Sequence, residues 1–436
     1  MRTTRATPTP RTALARAELA AIDRRLASTD ALLERAYPGD TGARQPVHTV
    51  YVPGDTYTPV LPADWGRASL EAADEHGGVE GVAKLVGVDR GLARRIAPLV
   101  RDKLQREPVE DLRIDFEDGY GDRGDDVEDA DVVRAAARVE AAMAGGIAPP
   151  YIGIRFKSLE ASTRARGIRT LDLFIGGLLE HGDLPPGLML TVPKVSTVAQ
   201  VEAMVELTAA LERAYGLPDG RLHFEVQVET PQLVLAHDGT SPLAWLPHVA
   251  SGRLMGLHYG TYDYSAAIGI AAQYQSLRHP AADLAKEMMQ LAVAGTGVRL
   301  SDGSSNLLPV GDRTVEAWRL HARLVRRSLE RGFTQGWDLH ANQLLTRYLA
   351  TYAFYREGWP EASARLRDHH DRRTDGAVLD EPATVRALAG FVLRGMQCGA
   401  LSGAEVGSRT GFDAHALTRL AHPRIERLGR PQGGVS

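Results

Sequence analysis

The chain has 436 residues, 44% of them hydrophobic and 24% charged, with a formal net charge of −4 from 51 basic and 55 acidic residues. This usage is typical of a globular protein with a large core, and so small a net charge provides no strong field for binding a nucleic acid or a membrane. The single cysteine, Cys398, excludes an intramolecular disulfide, and no apolar run approaches the ~20 residues of a membrane span. We therefore expect a cytoplasmic protein that acts on small molecules.

The order of elements predicts a barrel. After an N-terminal extension, residues 1–46, with an amphipathic helix from 12 to about 37, short β-branched runs alternate with Ala-rich helical stretches. The candidate strands are residues 48–54, 112–118, 151–157, 188–194, 223–229, 254–260, 297–303 and 333–340. Eight strands with helical spacers predict an α/β fold, a (β/α)₈ TIM barrel over residues 47–345.

The rest of the chain, residues 346–436, is predicted to be a C-terminal helical segment. Two Ala- and Leu-rich stretches lie within it, and the intervening residues 365–375 are rich in charge. We interpret these intervening residues as a linker between two helices.

Polar residues follow the apolar bodies of most predicted strands, at the end where a (β/α)₈ barrel carries its active site. They are Asp55, Glu117, Asp118, Arg155, Lys157, Lys194, Glu229, Asp263, Asp302 and His340. The adjacent carboxylates of Glu117 and Asp118 are costly to hold together unless a cation, a proton or water separates them. Their segment, DFEDG, therefore marks a candidate site, although a solvated acidic strand end is the simpler interpretation.

The segments VQVET (226–230) and YGTYDYS (259–265) form the best candidate for a metal site. Glu229 and Asp263 would project from neighbouring strand ends and supply two oxygen ligands, with open positions of the kind that Mg²⁺ prefers. Gly260 and Thr261 would provide backbone freedom and donors beside Asp263. The alternative is that Glu229 caps a helix and Asp263 closes a turn.

Two basic residues at strand ends also suggest chemistry. Arg155 lies in an apolar run, where an unpaired guanidinium would be expensive, so it needs an anion. That anion is either Glu117 or Asp118 in a structural ion pair, or the carboxylate or enolate oxygen of a substrate. Lys194, after Pro193, fits an electrostatic or structural role better than that of a Schiff-base lysine.

Taken in order, several segments resemble motifs of the citrate lyase beta subunit-like family, which includes malyl-CoA lyases and is related to malate synthases. The resemblance covers about residues 47–395. It is carried by YVPGD (51–55), DFEDG (115–119), IRF (154–156), VPK (192–194), VET (228–230), GTYD (260–263), VRLSDG (298–303), GFTQGWDLHANQ (332–343) and DGAVLDEPATVRALAGFVLR (375–394). One departure is His340-Ala341, where the family has His-Pro.

The resemblance implies a carbon–carbon lyase or aldolase that depends on Mg²⁺ (or Mn²⁺). Glu229 and Asp263 would bind the metal, and Glu117 and Asp118 would hydrogen-bond to its water molecules. The metal and Arg155 would then hold a small 2-oxo acid, which reacts through a metal-stabilised enolate.

The resemblance also implies further roles and partners. Asp380 becomes the first candidate for the catalytic base, and Gly260, Thr261 and Lys194 complete the substrate-binding set with Arg155. A hydroxy or oxo acid, or its coenzyme A thioester, is the expected substrate, although the sequence shows no distinct basic groove for the coenzyme. A homo-oligomer is also implied. Two alternatives stay open: a malate-synthase-like enzyme that condenses acetyl-CoA with glyoxylate, and a non-catalytic barrel that serves as a scaffold.

Overall fold

In the computed structural model, which describes residues 13–371 and 381–423, eight parallel strands form one closed barrel. The strands are β1 (His48–Pro53), β2 (Asp111–Asp115), β3 (Tyr151–Arg155), β4 (Leu188–Val192), β5 (Phe224–Val228), β6 (Leu254–Tyr259), β7 (Arg299–Ser301) and β8 (Gly336–Asp338). Strands β1 to β7 pair in chain order, β8 pairs with β1, and a bridge between Ser301 and Gln335 joins the remaining two edges. The predicted (β/α)₈ barrel is confirmed.

Helices alternate with the strands and extend beyond the barrel at both ends. They are α1 (Arg16–Ala36), α2 (Leu61–Asp74), α3 (Gly78–Leu85), α4 (Arg90–Arg106), α5 (Asp125–Ala144), α6 (Arg164–His181), α7 (Val198–Tyr215), α8 (Pro231–Val234), α9 (Leu246–Val249), α10 (Thr261–Ala267), α11 (Pro280–Val293), α12 (Thr314–Glu330), α13 (Ala341–His370), α14 (Pro382–Gln397), α15 (Gly403–Thr410) and α16 (Ala414–Ala421). None of these described helices combines the length and the apolar character that crossing a membrane requires.

The interior of the barrel is charged, and the apolar side chains of the strands pack in the core beneath the helices. On β2, Leu112 and Ile114 are fully buried in the main hydrophobic cluster. Arg113, between them, donates to Asp111 on its own strand and to Glu225 on β5. Because successive side chains of a strand point to opposite faces, this alternation directs charge inward and apolar groups outward.

A second hydrophobic cluster holds the C-terminal helices together. Its buried members include Trp359 and Leu366 of α13, Val392 of α14 and Leu417 of α16. Helix α13 continues to His370, so the prediction of a linker over residues 365–375 is wrong as far as residue 370. The helix persists through the charged stretch because Leu366 is fully buried, and Arg365 pairs with Glu361 one turn earlier at 3.0 Å.

The predicted N-terminal helix is confirmed as α1, but none of its residues is buried. Its apolar side chains at Leu19, Ile22, Leu26, Leu32 and Leu33 are exposed.

At the other predicted boundaries, the observed strands end earlier than the apolar runs suggest. Glu117, Lys194 and Glu229 consequently lie in the loops that follow β2, β4 and β5.

Candidate functional site

A cavity of about 440 Å³, which we call the barrel-mouth cavity, opens at the C-terminal ends of the strands. It is lined by Tyr51, Pro53, Asp115, Asp118, Gly119, Arg155, Glu229, Gly260, Thr261, Tyr262, Asp263, Ser304, Trp337 and Leu339. The lining brings together six of the nine predicted site residues. Of the other three, Glu117 and Lys194 contact each other next to Asp118, and Asp380 lies outside the described residues.

Arg155, at the end of β3, is bound chiefly by Asp115, a residue that the sequence analysis did not single out. Its Nε and Nη2 atoms donate to the two oxygens of Asp115 at 2.7 and 2.6 Å, and its guanidinium lies over the ring of Tyr51. The predicted ion pair with Glu117 is also present, at 3.3 Å from Nη1. Both partners are buried, so this bidentate pair is a fixed part of the site.

Asp115 also holds the loop that carries the acidic pair. Its Oδ1 accepts a hydrogen bond from the backbone N–H of Glu117 at 3.0 Å, and its Oδ2 accepts one from Gly119 at 2.9 Å. A Cβ atom added to Gly119 would lie 2.5 Å from Oδ2, so the loop can approach this carboxylate only with glycine at that position. The sequence DFEDG is therefore organised around its first aspartate.

The repulsion between Glu117 and Asp118 is relieved by Lys194, whose Nζ contacts both carboxylates. Burial raises the pKa of Glu117, and the charge of Asp118 adds to this, while Arg155 and Lys194 oppose it. Burial also acts to raise the pKa of Asp118, but the hydrogen bond from Lys194 outweighs it and holds this pKa below its ordinary value. Of the two acids, Glu117 is therefore the one that more readily keeps a proton.

Lys194 has a left-handed backbone, with φ of 52°, which is uncommon for a residue other than glycine. In this conformation its backbone N–H donates to Oε1 of Glu229 at 2.7 Å while its side chain reaches the acidic pair. Burial lowers the pKa of its ammonium, but Glu117 and the neighbouring carboxylates outweigh this and raise it. A lysine held this firmly as a cation is a poor Schiff-base nucleophile, which favours the electrostatic interpretation.

Glu229 follows β5 and is only 2% exposed, whereas Asp263, in the first turn of α10, is exposed to solvent. Burial raises the pKa of Glu229 to about 7, and the charges of Glu117 and Asp263 contribute, while Lys194 and Arg155 oppose the shift. A Cβ atom added to Gly260 would lie 2.6 Å from Oε2 of Glu229. The backbone of Gly260 thus packs directly on the buried carboxylate.

The arrangement of Glu229 and Asp263 fits a divalent cation. Oε1 of Glu229 accepts from Lys194, while Oε2 has no hydrogen-bond partner among the described residues. A cation would remove the unfavourable charge that raises the pKa of this buried carboxylate. Within residues 13–371 and 381–423, no three His, Cys, Asp or Glu side chains are grouped to share an ion. Two carboxylates are nevertheless enough for Mg²⁺, because this ion is commonly held by one or two carboxylates with water at the other positions.

Several other polar residues at strand ends have structural partners outside the cavity. Asp55 pairs with Arg123, Lys157 with Glu128, Asp302 with Lys286, and His340 accepts a hydrogen bond from the backbone of Asn342. Arg166 and Arg169 on α6 both pair with Asp129. Their charges are compensated there, so they do not form a free phosphate-binding surface.

Besides Asp115, the sequence analysis missed the aromatic residues of the cavity. Tyr51 accepts a hydrogen bond from Nε2 of Gln227 at 3.2 Å, and Trp337 donates to Nδ1 of His258 at 3.2 Å. Both aromatic residues lie on strands and face the interior of the barrel mouth. For Tyr51, the available signal was its position in the alternation along the strand. Tyr51 and its partner Gln227 alternate with apolar residues that are buried under the helices.

The site and the fold together define a (β/α)₈ barrel with a carboxylate-rich mouth, built around a buried glutamate and a fixed arginine. The chain belongs to the family described as "Domain of unknown function (DUF6986)", whose model matches residues 26–425. No curated protein matches the chain in sequence.

Several solved structures are similar to this chain. A citrate lyase from Burkholderia xenovorans LB400 is 18% identical, with a TM-score of 0.56 over 85% of this chain and 98% of that chain. The protein CitE from Mycobacterium tuberculosis, in complex with magnesium, acetoacetate and coenzyme A, is 16% identical over 82% and 99%, with a TM-score of 0.47. A malate synthase from Haloferax volcanii, in a magnesium and glyoxylate complex, is 14% identical over 88% and 97%, also with a TM-score of 0.47. The first of these confirms the resemblance to citrate lyases at the level of the fold.

Proposed function

We propose that this protein is a Mg²⁺-dependent carbon–carbon lyase of the citrate lyase beta-like type, which cleaves or forms a small hydroxy or oxo acid or its coenzyme A thioester. The observation that carries the proposal is the meeting of Glu229, Asp263 and Arg155 in one cavity at the barrel mouth. Two carboxylates there can hold a divalent cation, and a guanidinium beside them can bind the carboxylate of an oxo acid.

The contacts of Arg155 define how it would bind a substrate. Asp115 occupies the edge formed by Nε and Nη2, so the substrate carboxylate would accept from Nη1, which lies 3.3 Å from Glu117 and 3.5 Å from Gln227. Because Asp115 and Tyr51 fix the guanidinium on two sides, it is already oriented before a substrate arrives.

Charge at the mouth is the chemical basis of the proposal. A bound Mg²⁺ would supply Lewis-acid polarisation of a substrate oxygen. Lys194 orients Glu229 through its backbone N–H and neutralises the acidic pair through its ammonium. Apart from Glu229, which would bind the metal, Glu117 is an acid beside the cavity whose pKa burial raises. The assignment of the base to Asp380, from its own or a neighbouring subunit of a homo-oligomer, stays a prediction.

Binding and cleavage assays test the proposal. Isothermal titration calorimetry with MgCl₂ should show a site that Glu229→Gln and Asp263→Asn each weaken. A screen of 4-hydroxy-2-oxo acids and hydroxyacyl-coenzyme A thioesters should find a Mg²⁺-dependent cleavage that both variants reduce. Asp55→Asn is the matched control, because Asp55 is an acid at a strand end that pairs with Arg123 outside the cavity.

A separate reaction with acetyl-CoA and glyoxylate, followed by thiol release, distinguishes a condensing enzyme from a lyase. The proposal fails if the wild-type protein binds no divalent cation and Glu229→Gln leaves every detected cleavage activity unchanged. In that case, the barrel would be a scaffold.

A further inference from the structure

A second cavity of about 750 Å³, which we call the distal cavity, adjoins the barrel-mouth cavity. Tyr262 and Ser304 line both cavities. The hydroxyl of Tyr262 accepts a hydrogen bond from the backbone N–H of Asn306 at 2.6 Å, which ties α10 to the segment that follows β7. The two cavities therefore meet at these two residues.

Two serines in this segment provide unused hydroxyl groups. Ser304 and Ser305 are only 4% and 6% exposed, and both line the distal cavity. In the described part of the chain, neither hydroxyl makes a hydrogen bond to another protein group, although the backbone carbonyls of both residues accept one. Both hydroxyls are therefore available to donate to, or accept from, a polar ligand in the distal cavity.

The charged residues of the distal cavity indicate whether that ligand is an anion or a cation. Arg278 is exposed and its guanidinium has no acidic partner among the described residues, whereas Arg313 is paired with Glu316 at 3.2 Å. Next to Arg278, His279 caps helix α11 by accepting from the backbone N–H of Ala281 through Nδ1. One uncompensated arginine and two free hydroxyls are a donor set suited to an oxyanion.

We propose that the distal cavity binds an oxyanion, either a carboxylate or a phosphate, at the far end of the substrate. This inference rests on the proposed function, since it places the reacting end of the same molecule between Arg155 and Glu229. It narrows the substrate to acids with a second anionic group. The loop after the seventh strand is a frequent place for phosphate groups in (β/α)₈ barrels, which agrees with the position of Ser304 and Ser305.

Binding of two simple anions to the full-length protein tests the proposal. Inorganic phosphate and succinate are titrated separately by isothermal titration calorimetry, after divalent cations have been removed with a chelating resin. The variants are Arg278→Gln and Ser305→Ala, which change the distal cavity alone. Arg323→Gln is the matched control, because Arg323 is an exposed arginine on α12 outside both cavities. The melting temperature of each variant verifies folding.

At least one of the two anions should bind, and both variants should weaken its binding about tenfold or more, the loss expected for a hydrogen bond to a charged group. Arg323→Gln should bind it as the wild type does. The anion that binds more tightly identifies the distal group as a phosphate or a carboxylate.

The proposal is overturned if neither anion binds, or if binding is the same in Arg278→Gln and Ser305→Ala as in the wild type. Either result leaves Mg²⁺ binding by Glu229 untouched. Conversely, loss of the metal site in Glu229→Gln should not alter anion binding in metal-free protein, so failures of the two proposals are distinguishable.

Discussion

Replacement of Glu229 by glutamine is expected to stabilise the metal-free protein at alkaline pH, although it removes a proposed metal ligand. Burial raises the pKa of Glu229 from 4.5 to about 7 in the folded protein. A carboxyl group with a raised pKa favours the folded state when it is protonated. Its contribution is therefore fully present below about pH 4.5 and is lost as the pH rises through about 7. Glutamine stays neutral throughout, so the variant avoids this loss.

The size of the effect follows from the pKa difference. The difference between 7 and 4.5 corresponds to about 3 kcal/mol, at ~1.36 kcal/mol for each pH unit. For 436 residues, an unfolding entropy of ~2.1 cal/mol/K per residue gives about 0.9 kcal/mol/K, so the melting temperature should rise by about 3 to 4 °C. The amide oxygen of glutamine can still accept the hydrogen bond from the backbone of Lys194, so this contact is retained.

Thermal unfolding at pH 5 and pH 8.5, in protein freed of divalent cations, measures the effect. Glu229→Gln should melt close to the wild type at pH 5 and above it at pH 8.5, and saturating Mg²⁺ should reverse the order. Glu225→Gln, on β5 just before the loop that carries Glu229, is the matched control. Burial there is outweighed by Arg113 and His258, which lower the pKa of Glu225, so this variant should melt below the wild type at both pH values.

The reasoning would be refuted if Glu229→Gln melted at or below the wild-type temperature at pH 8.5 while Glu225→Gln behaved as expected. That result would mean that the carboxylate of Glu229 is well solvated or paired in the metal-free protein.

Three further predictions concern the same cavity. Asp263→Asn should weaken Mg²⁺ binding at least about tenfold in calorimetric titrations. Because Asp263 is exposed, the melting temperature should not change, and a large loss of stability would contradict this prediction. Arg155→Gln leaves Asp115 and Glu117 without their buried cation, so urea denaturation should show a loss of about 3–5 kcal/mol, and retained stability would exclude the structural part of its role. Glycine adopts the left-handed backbone at position 194 without strain, whereas alanine does not. Lys194→Gly should therefore be more stable than Lys194→Ala by about 1 kcal/mol. Equal unfolding midpoints of the two variants would count against a strained turn.

The barrel and the location of the candidate site could be predicted because both depend on local patterns. Alternating apolar residues define strands, and the C-terminal ends of parallel strands meet at one edge whatever their detailed packing. The residues that hold Arg155 could not be predicted in the same way. The alternation of Asp111, Arg113 and Asp115 with leucine and isoleucine separates the two faces of β2, but it does not show which of these charges meets Arg155, because that depends on the register between β2 and β3.

The conformation of Lys194 was also beyond the sequence. The segment VPK indicated a cation at the barrel mouth, but a left-handed backbone at a lysine is imposed by tertiary contacts and has no residue signature comparable to glycine. The linker predicted over residues 365–375 is wrong for residues 365–370 for a related reason. Their composition resembles a solvated loop, and only the burial of Leu366 against the second hydrophobic cluster shows why the helix continues.

The charges around the barrel mouth support the proposed cation site. Five carboxylates belong to the site, and two basic side chains face them, Arg155 and Lys194. The five are Asp115, Glu117, Asp118, Glu229 and Asp263. Arg155 is engaged by Asp115 and Lys194 holds the pKa of Asp118 low, whereas the pKa values of Glu117 and Glu229 are raised. The unfavourable charge therefore falls on Glu117 and Glu229, and a divalent cation at Glu229 would offset it by taking the place of a proton.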